Sequence, residues 1–149
     1  MYFVDREKIQ QTLTYMEQCI DLFESQEKWE LPIEQLGLER IAHSFIEAVI
    51  DVGNSMIDGF IMRDPGGYED IVDILEDEKV LSSGQAGSIK NVVRYRKPLV
   101  QSYIAINHEE LLDVIQKNLE ALKKFPHSVR TYLEVELGPV SAFLPEENK

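Results

Sequence analysis

Between Leu38 and Phe60 the chain sets an apolar side chain at every third or fourth position: Leu38, Ile41, Phe45, Val49, Val52, Met56 and Phe60. A period near 3.6 gathers these on one side of an α-helix, whereas a strand would scatter them over both faces. The spacing predicts one helix from about Pro32 to Met62, roughly 45 Å long at helical rise. Pro32 suits its first turn, and Asp64-Pro65-Gly66-Gly67 ends it. A rod of that length with one apolar stripe has to be covered by further helices.

The rest of the chain supplies them. Asp5 caps a first helix with Ile9, Leu13, Met16, Ile20 and Phe23 on one face. Tyr68, Ile71, Val72, Ile74 and Leu75 mark a short third helix. Ser82 or Ser83 caps a fourth, which buries Ile89, Val92, Val93, Leu99, Val100 and Ile104 and bends at Pro98. Asn107 and Glu110 have capping-box spacing for a fifth, whose seam is Leu111, Ile115, Leu119, Leu122, Val129, Leu133 and Leu137, with a kink or break at Pro126. The expected architecture is all-α: an antiparallel bundle of four to five helices, one domain over residues 1–137, and a partly flexible tail over 138–149. At 149 residues and 44% hydrophobic, one core needs neither disulfide nor metal. The single Cys19 and the absence of a basic-then-apolar leader point to the cytoplasm, and no apolar run is long enough for a membrane span. No Gly-rich phosphate loop is present, so no cofactor is expected.

Charge is distributed unevenly. The chain holds 27 acidic and 15 basic residues, yet from Lys79 to His108 there is no Asp or Glu, while Lys79, Lys90, Arg94, Arg96 and Lys97 all fall there. A net charge of −12 excludes a broad grip on DNA or on nucleic acid at large; contact with RNA or a nucleotide has to be local. Lys90, Arg94, Arg96 and Lys97 are the candidate phosphate contacts. They can equally pair with carboxylates on the second helix, where Arg40, His43, Glu47, Asp51, Asn54 and Asp58 form a polar row. On one continuous helix Arg96 shares a face with Tyr103, and Arg94 with Gln101. His43, Glu47 and Asp51 are spaced by four, but a di-metal bundle needs paired Glu-x-x-His motifs from two helices, so no metal is expected.

The segment Arg96-Lys97-Pro98-Leu99-Val100-Gln101-Ser102-Tyr103 resembles the motif of the HepT toxins of the HEPN superfamily: an Arg, usually an Asn, three residues, a His, one residue and a Tyr. The likeness extends from Glu39-Arg40 through Glu47-Ala48-Val49-Ile50-Asp51 to Pro65 and Tyr68. It implies a metal-independent ribonuclease site of a toxin–antitoxin system, built where two subunits of a homodimer meet. Catalytic positions would be Arg96, Gln101 and Tyr103, with Glu47 and Asp51 as a supporting acidic row. It also implies a minimal nucleotidyltransferase antitoxin as partner, with Tyr103 as the adenylylation acceptor.

Cleavage by attack of the 2′-hydroxyl needs a proton acceptor, a proton donor and positive charge on the phosphorane. Gln101 stands where the motif has His; its amide can bond a phosphate but carries no proton. Lys97 replaces the Asn. Losing an acid–base group costs ~10²–10⁴ in rate, so the expectation is RNA or nucleotide binding with weak or lost cleavage. His43 or His108 could stand in for the missing proton carrier, but both read first as surface histidines, and the bland reading of Tyr103 is a ring packed in the bundle. The alternative function is a noncatalytic module that recruits a protein partner through its acidic surface.

Overall fold

A computed structural model describes residues 2–138, and among these there is no strand. The elements are α1 (Arg6–Ser25), α2 (Pro32–Gly59), α3 (Tyr68–Asp77), α4 (Ser83–Val93), α5 (Arg96–Gln101), a 3-10 turn (Tyr103–Ala105), α6 (His108–Lys117) and α7 (Leu119–Leu137). Apart from Gly138, the expected tail lies outside the described residues.

The apolar rows expected of the first two helices are buried throughout, and α2 is the central element, packed by α1, α3, α5 and α6. Phe23 stacks on Trp29 at 5.5 Å and presents an edge to Phe45 at 6.4 Å. Helix α7 closes the bundle against α1 and α4; Arg130 forks onto both carboxylate oxygens of Glu17 at 2.8 Å. Three expected caps are formed. Asp5 accepts the Lys8 N–H, Ser82 and Gln85 make a reciprocal capping box, and Asn107 accepts the Glu110 N–H. Gly53 lets α3 approach closely, since a Cβ there would lie 2.3 Å from Ile71 Cγ2. A β-branched side chain on a helix has little freedom to yield, so α3 is fixed against α2 at that contact.

Three boundaries differ from expectation. Helix α2 stops at Gly59, before Met62: Ile61 takes φ 57° and the Met62 N–H bonds the Ile57 carbonyl, a left-handed closure. A β-branched residue is strained there, and Ile61 is exposed. Ile61→Gly is therefore expected to raise stability by about 0.5–1 kcal/mol, the relief of left-handed strain exceeding the added chain entropy. The check is a higher denaturant midpoint with unchanged slope.

The fourth helix is broken, not merely bent. Pro98 has no N–H to offer the Arg94 carbonyl, so α4 ends at Val93, residues 94–95 form a turn, and α5 restarts with Pro98 in its first turn. Beyond the break the apolar register is lost: Val100 and Ile104, expected in the core, are 42% and 90% exposed. The fifth helix breaks at Asn118, whose side chain bonds the Val114 carbonyl and accepts from Asn91. Pro126 instead lies buried within α7.

Candidate phosphate-binding site

The turn between α4 and α5 separates the basic side chains that a continuous helix would have aligned. Arg94 Nε donates to Glu69 Oε1 at 2.9 Å and its Nη1 to Asn91 Oδ1 at 3.0 Å. Lys90 donates to Asp73 at 2.8 Å, and that carboxylate holds the ammonium above its ordinary range. Both carboxylates are on α3, so the expected pairing of Arg94 with Glu47, Asp51 or Asp58 is not made; the break turns Arg94 away from α2.

Arg96 does reach α2. Its Nε donates to Glu47 Oε1 at 2.9 Å, and its guanidinium carbon sits 4.4 Å from the centre of the Tyr68 ring. A cation over an aromatic face and a charge-assisted hydrogen bond together fix the plane of the group. Among the described residues its two terminal nitrogens have no protein hydrogen-bond partner. Arg96 lines a cleft of about 610 Å³ together with Gly67, Tyr68, Arg94, Lys97 and Gln101. Lys97 forms no ion pair among the described residues, and Gln101 is exposed at the end of α5. The carboxylates of Glu69, Asp70 and Asp73 also line the cleft, each already paired with Arg94, Arg63 or Lys90, which leaves the guanidinium of Arg96, the ammonium of Lys97 and the carboxamide of Gln101 as the donors open to an anion.

The far wall is held by charge pairing. Asp70 takes both ends of the Arg63 fork, at 2.8 and 2.9 Å, and also the Gly66 N–H at 2.8 Å. Arg63 first, and the Gly66 amide second, lower its carboxyl to about 2. An unfolded Asp titrates near 3.9, so between those values the unfolded chain binds more protons than the native one. This contribution to stability is present above about pH 4 and is lost as pH falls towards 2. Denaturant midpoints measured from pH 5 to 2 should show that loss in the unmodified protein and lack this component in Asp70→Asn.

The remaining expected residues fall elsewhere. Glu47 and Asp51 both line a groove between α1 and α2, separate from the Arg96 cleft, and of the two only Glu47 bonds Arg96. Tyr103 lies in the 3-10 turn beyond α5, 67% exposed; its ring is not packed in the bundle, and it no longer shares a helical face with Arg96. Tyr95, by contrast, is half-buried, and burial with a hydrogen bond to Glu110 pushes its phenol up to about 12. His108, expected at the surface, is partly buried with Nε2 2.6 Å from Glu39 Oε2, joining α6 to α2. His43 is also only partly exposed, with Nε2 3.0 Å from Glu47 Oε1. Among the described residues no group of three potential ligands is placed to hold a metal ion. Tyr68 as a platform for Arg96 escaped the reading of the sequence, which offers only an aromatic after a Gly-Gly turn.

Residues 9–129 match the family model described as Ribonuclease HepT-like. The putative RNase YutE of Bacillus subtilis strain 168 is 52% identical over 143 residues, 96% of this chain and 99% of its own. The structure of YutE, described as a cytosolic protein of unknown function, aligns with a TM-score of 0.93 over 96% of this chain and 100% of its own. A tri-AMPylated Shewanella oneidensis HEPN toxin, solved in complex with its MNT antitoxin, aligns at 0.72 and 18% identity, over 83% of this chain and 96% of its own. A toxin–antitoxin structure with AMP-PNP gives 0.73 and 17%, over 83% and 97%. At that identity the likeness is one of fold.

Proposed function

The chain belongs to the HepT-like ribonuclease family, with the all-helical HEPN-like fold, and on that premise we propose that the Arg96 cleft binds RNA phosphate and cleaves the backbone weakly, without metal. The observation that carries this reading is the state of Arg96: one nitrogen spent on Glu47, the plane stacked on Tyr68, and two terminal nitrogens left for a ligand on an open cleft. A group held in this way needs little reorganisation when charge builds on a phosphorane. Lys97 adds positive potential, Arg94 follows the strand from its Glu69 tether, and Gln101 donates a hydrogen bond where the family motif has a proton carrier. Lys90, held by Asp73, contributes field more than contact.

Val100, in the lining of this cleft, and Tyr103 and Ile104, in the turn after α5, are exposed, and a second copy of the chain laid on them would shield them and bring two Arg96 clefts together. Exposure also favours Tyr103 over the locked Tyr95 as the acceptor for a nucleotidyltransferase partner. In that step the phenolic oxygen bonds to the α-phosphorus of ATP, pyrophosphate leaves, and the phenol proton passes to water. The modification would add negative charge to the turn that follows α5.

The experiment is a sensitive RNA cleavage assay of the unmodified protein, Arg96→Ala and Gln101→His. Weak cleavage is expected in the first, a loss of about 10²–10³ from that level in the second, and a gain of ~10²–10⁴ in the third. No binding and no cleavage in any of them would favour a noncatalytic protein-interaction module.

A further inference from the structure

Building on the ribonuclease reading, we infer that His43 is the proton acceptor of this site. It acts from α2 on a strand that runs from the Arg96 cleft, across Glu47, into the groove between α1 and α2. The oxygen of Glu47 that accepts the Arg96 Nε–H at 2.9 Å is the same one that lies 3.0 Å from His43 Nε2. One shared oxygen places imidazole and guanidinium within two hydrogen-bond lengths of each other. An ionised carboxylate only accepts, so Nε2 of the neutral ring carries the proton and Nδ1 keeps its lone pair. This is the arrangement a general base needs: a carboxylate that fixes the tautomer, a free ring nitrogen, and a cation nearby for the phosphorane.

The groove gives a strand somewhere to lie. It encloses about 310 Å³ and is lined in part by Tyr15, Arg40, His43, Ser44 and Glu47. Arg40 is exposed and has no ion pair among the described residues, which leaves a second guanidinium for the next phosphate. Tyr15, 47% exposed, offers a ring face for a base. The charged and titratable groups around His43 are Tyr15 from α1, Arg40, Glu47 and Asp51 from α2, and Arg96 from α5 through Glu47. The groove's own lining sets one cation, Arg40, against the carboxylates of Glu47 and Asp51, and Arg96 offsets the Glu47 charge only through its hydrogen bond to that carboxylate.

In the step itself, His43 Nδ1 takes the proton of the 2′-hydroxyl as O2′ bonds to phosphorus. The P–O5′ bond breaks, and the 5′-oxygen takes a proton from water. The products are a 2′,3′-cyclic phosphate and a 5′-hydroxyl, and the imidazolium returns its proton to solvent.

The test is single-turnover cleavage of a short RNA from pH 5 to 9 by the unmodified protein, His43→Asn and Arg96→Ala, beside binding of the same oligonucleotide with a 2′-deoxy group at the scissile position. Asn keeps a donor for Glu47 but accepts no proton. The expected result is a rate that rises with pH and levels off in the unmodified protein, and a ~10²-fold or greater loss in His43→Asn with binding of the deoxy analogue retained. Unchanged cleavage in His43→Asn, together with its loss in Arg96→Ala, would overturn the role of His43 and leave the ribonuclease reading standing. A rate that climbs without levelling would overturn it independently of any variant, and no cleavage by the unmodified protein would remove it together with the ribonuclease reading.

Discussion

Arg96→Ala is expected to lower single-turnover RNA cleavage by about 10²–10³, the range seen when one preorganised donor to a developing oxyanion is removed. Part of the loss comes from the two terminal nitrogens on the cleft, which no protein group occupies among the described residues. Another part comes from what is left behind. Glu47 would lose the cation at 2.9 Å and face the phosphate as an unscreened carboxylate, with only His43 beside it. Arg96→Lys should recover little, because an ammonium neither forks between Glu47 and a phosphate nor stacks as a plane on Tyr68. Rates for the three proteins on one oligonucleotide, with helical content monitored by circular dichroism, check this.

Phe45→Ala is expected to cost about 3–5 kcal/mol of folding stability, the largest effect of any single truncation considered. Phe45 is fully buried in the middle of α2, edge-on to Phe23, in a core with no side to collapse from. A domain of ordinary stability has only about 5–15 kcal/mol to lose, so the midpoint of urea unfolding should fall sharply. His43 and Glu47 lie two residues to either side, which on a helix is the opposite face. Cleavage per folded molecule should therefore survive the substitution, separating a damaged core from a damaged site.

What could be read in advance follows from where the information lies. The rows of α1 and α2 are legible because periodicity is a property of the segment alone, and Asp5, Ser82 and Asn107 are legible because a cap needs only its own three following residues. The breaks are less so. Pro98 signals a disturbance, but whether the axis bends or stops depends on what α2 and α3 offer the freed groups. Asn118 breaks a helix where Pro126 was the stronger local signal, because Asn91 on α4 engages its amide oxygen. Once α4 and α5 separate, every inference that assumed one axis fails together: the shared face of Arg96 and Tyr103, the α2 partner for Arg94, the burial of Val100 and Ile104. Arg96 differs from these in that the family motif and the local charge name it as a candidate without reference to the helix axis. The Glu47 oxygen shared by Arg96 and His43 joins residues far apart in the chain; only the His43–Glu47 spacing of four was open to view.

Whether the terminal nitrogens of Arg96 hold an RNA phosphate is decided by fluorescence anisotropy of a labelled, cleavage-resistant oligoribonucleotide across a series of salt concentrations. For Arg96→Ala the account predicts weaker binding and a log–log salt slope shallower by about 0.7, the release of one phosphate contact from a single strand. Equal affinity and equal slope for the two proteins would contradict it.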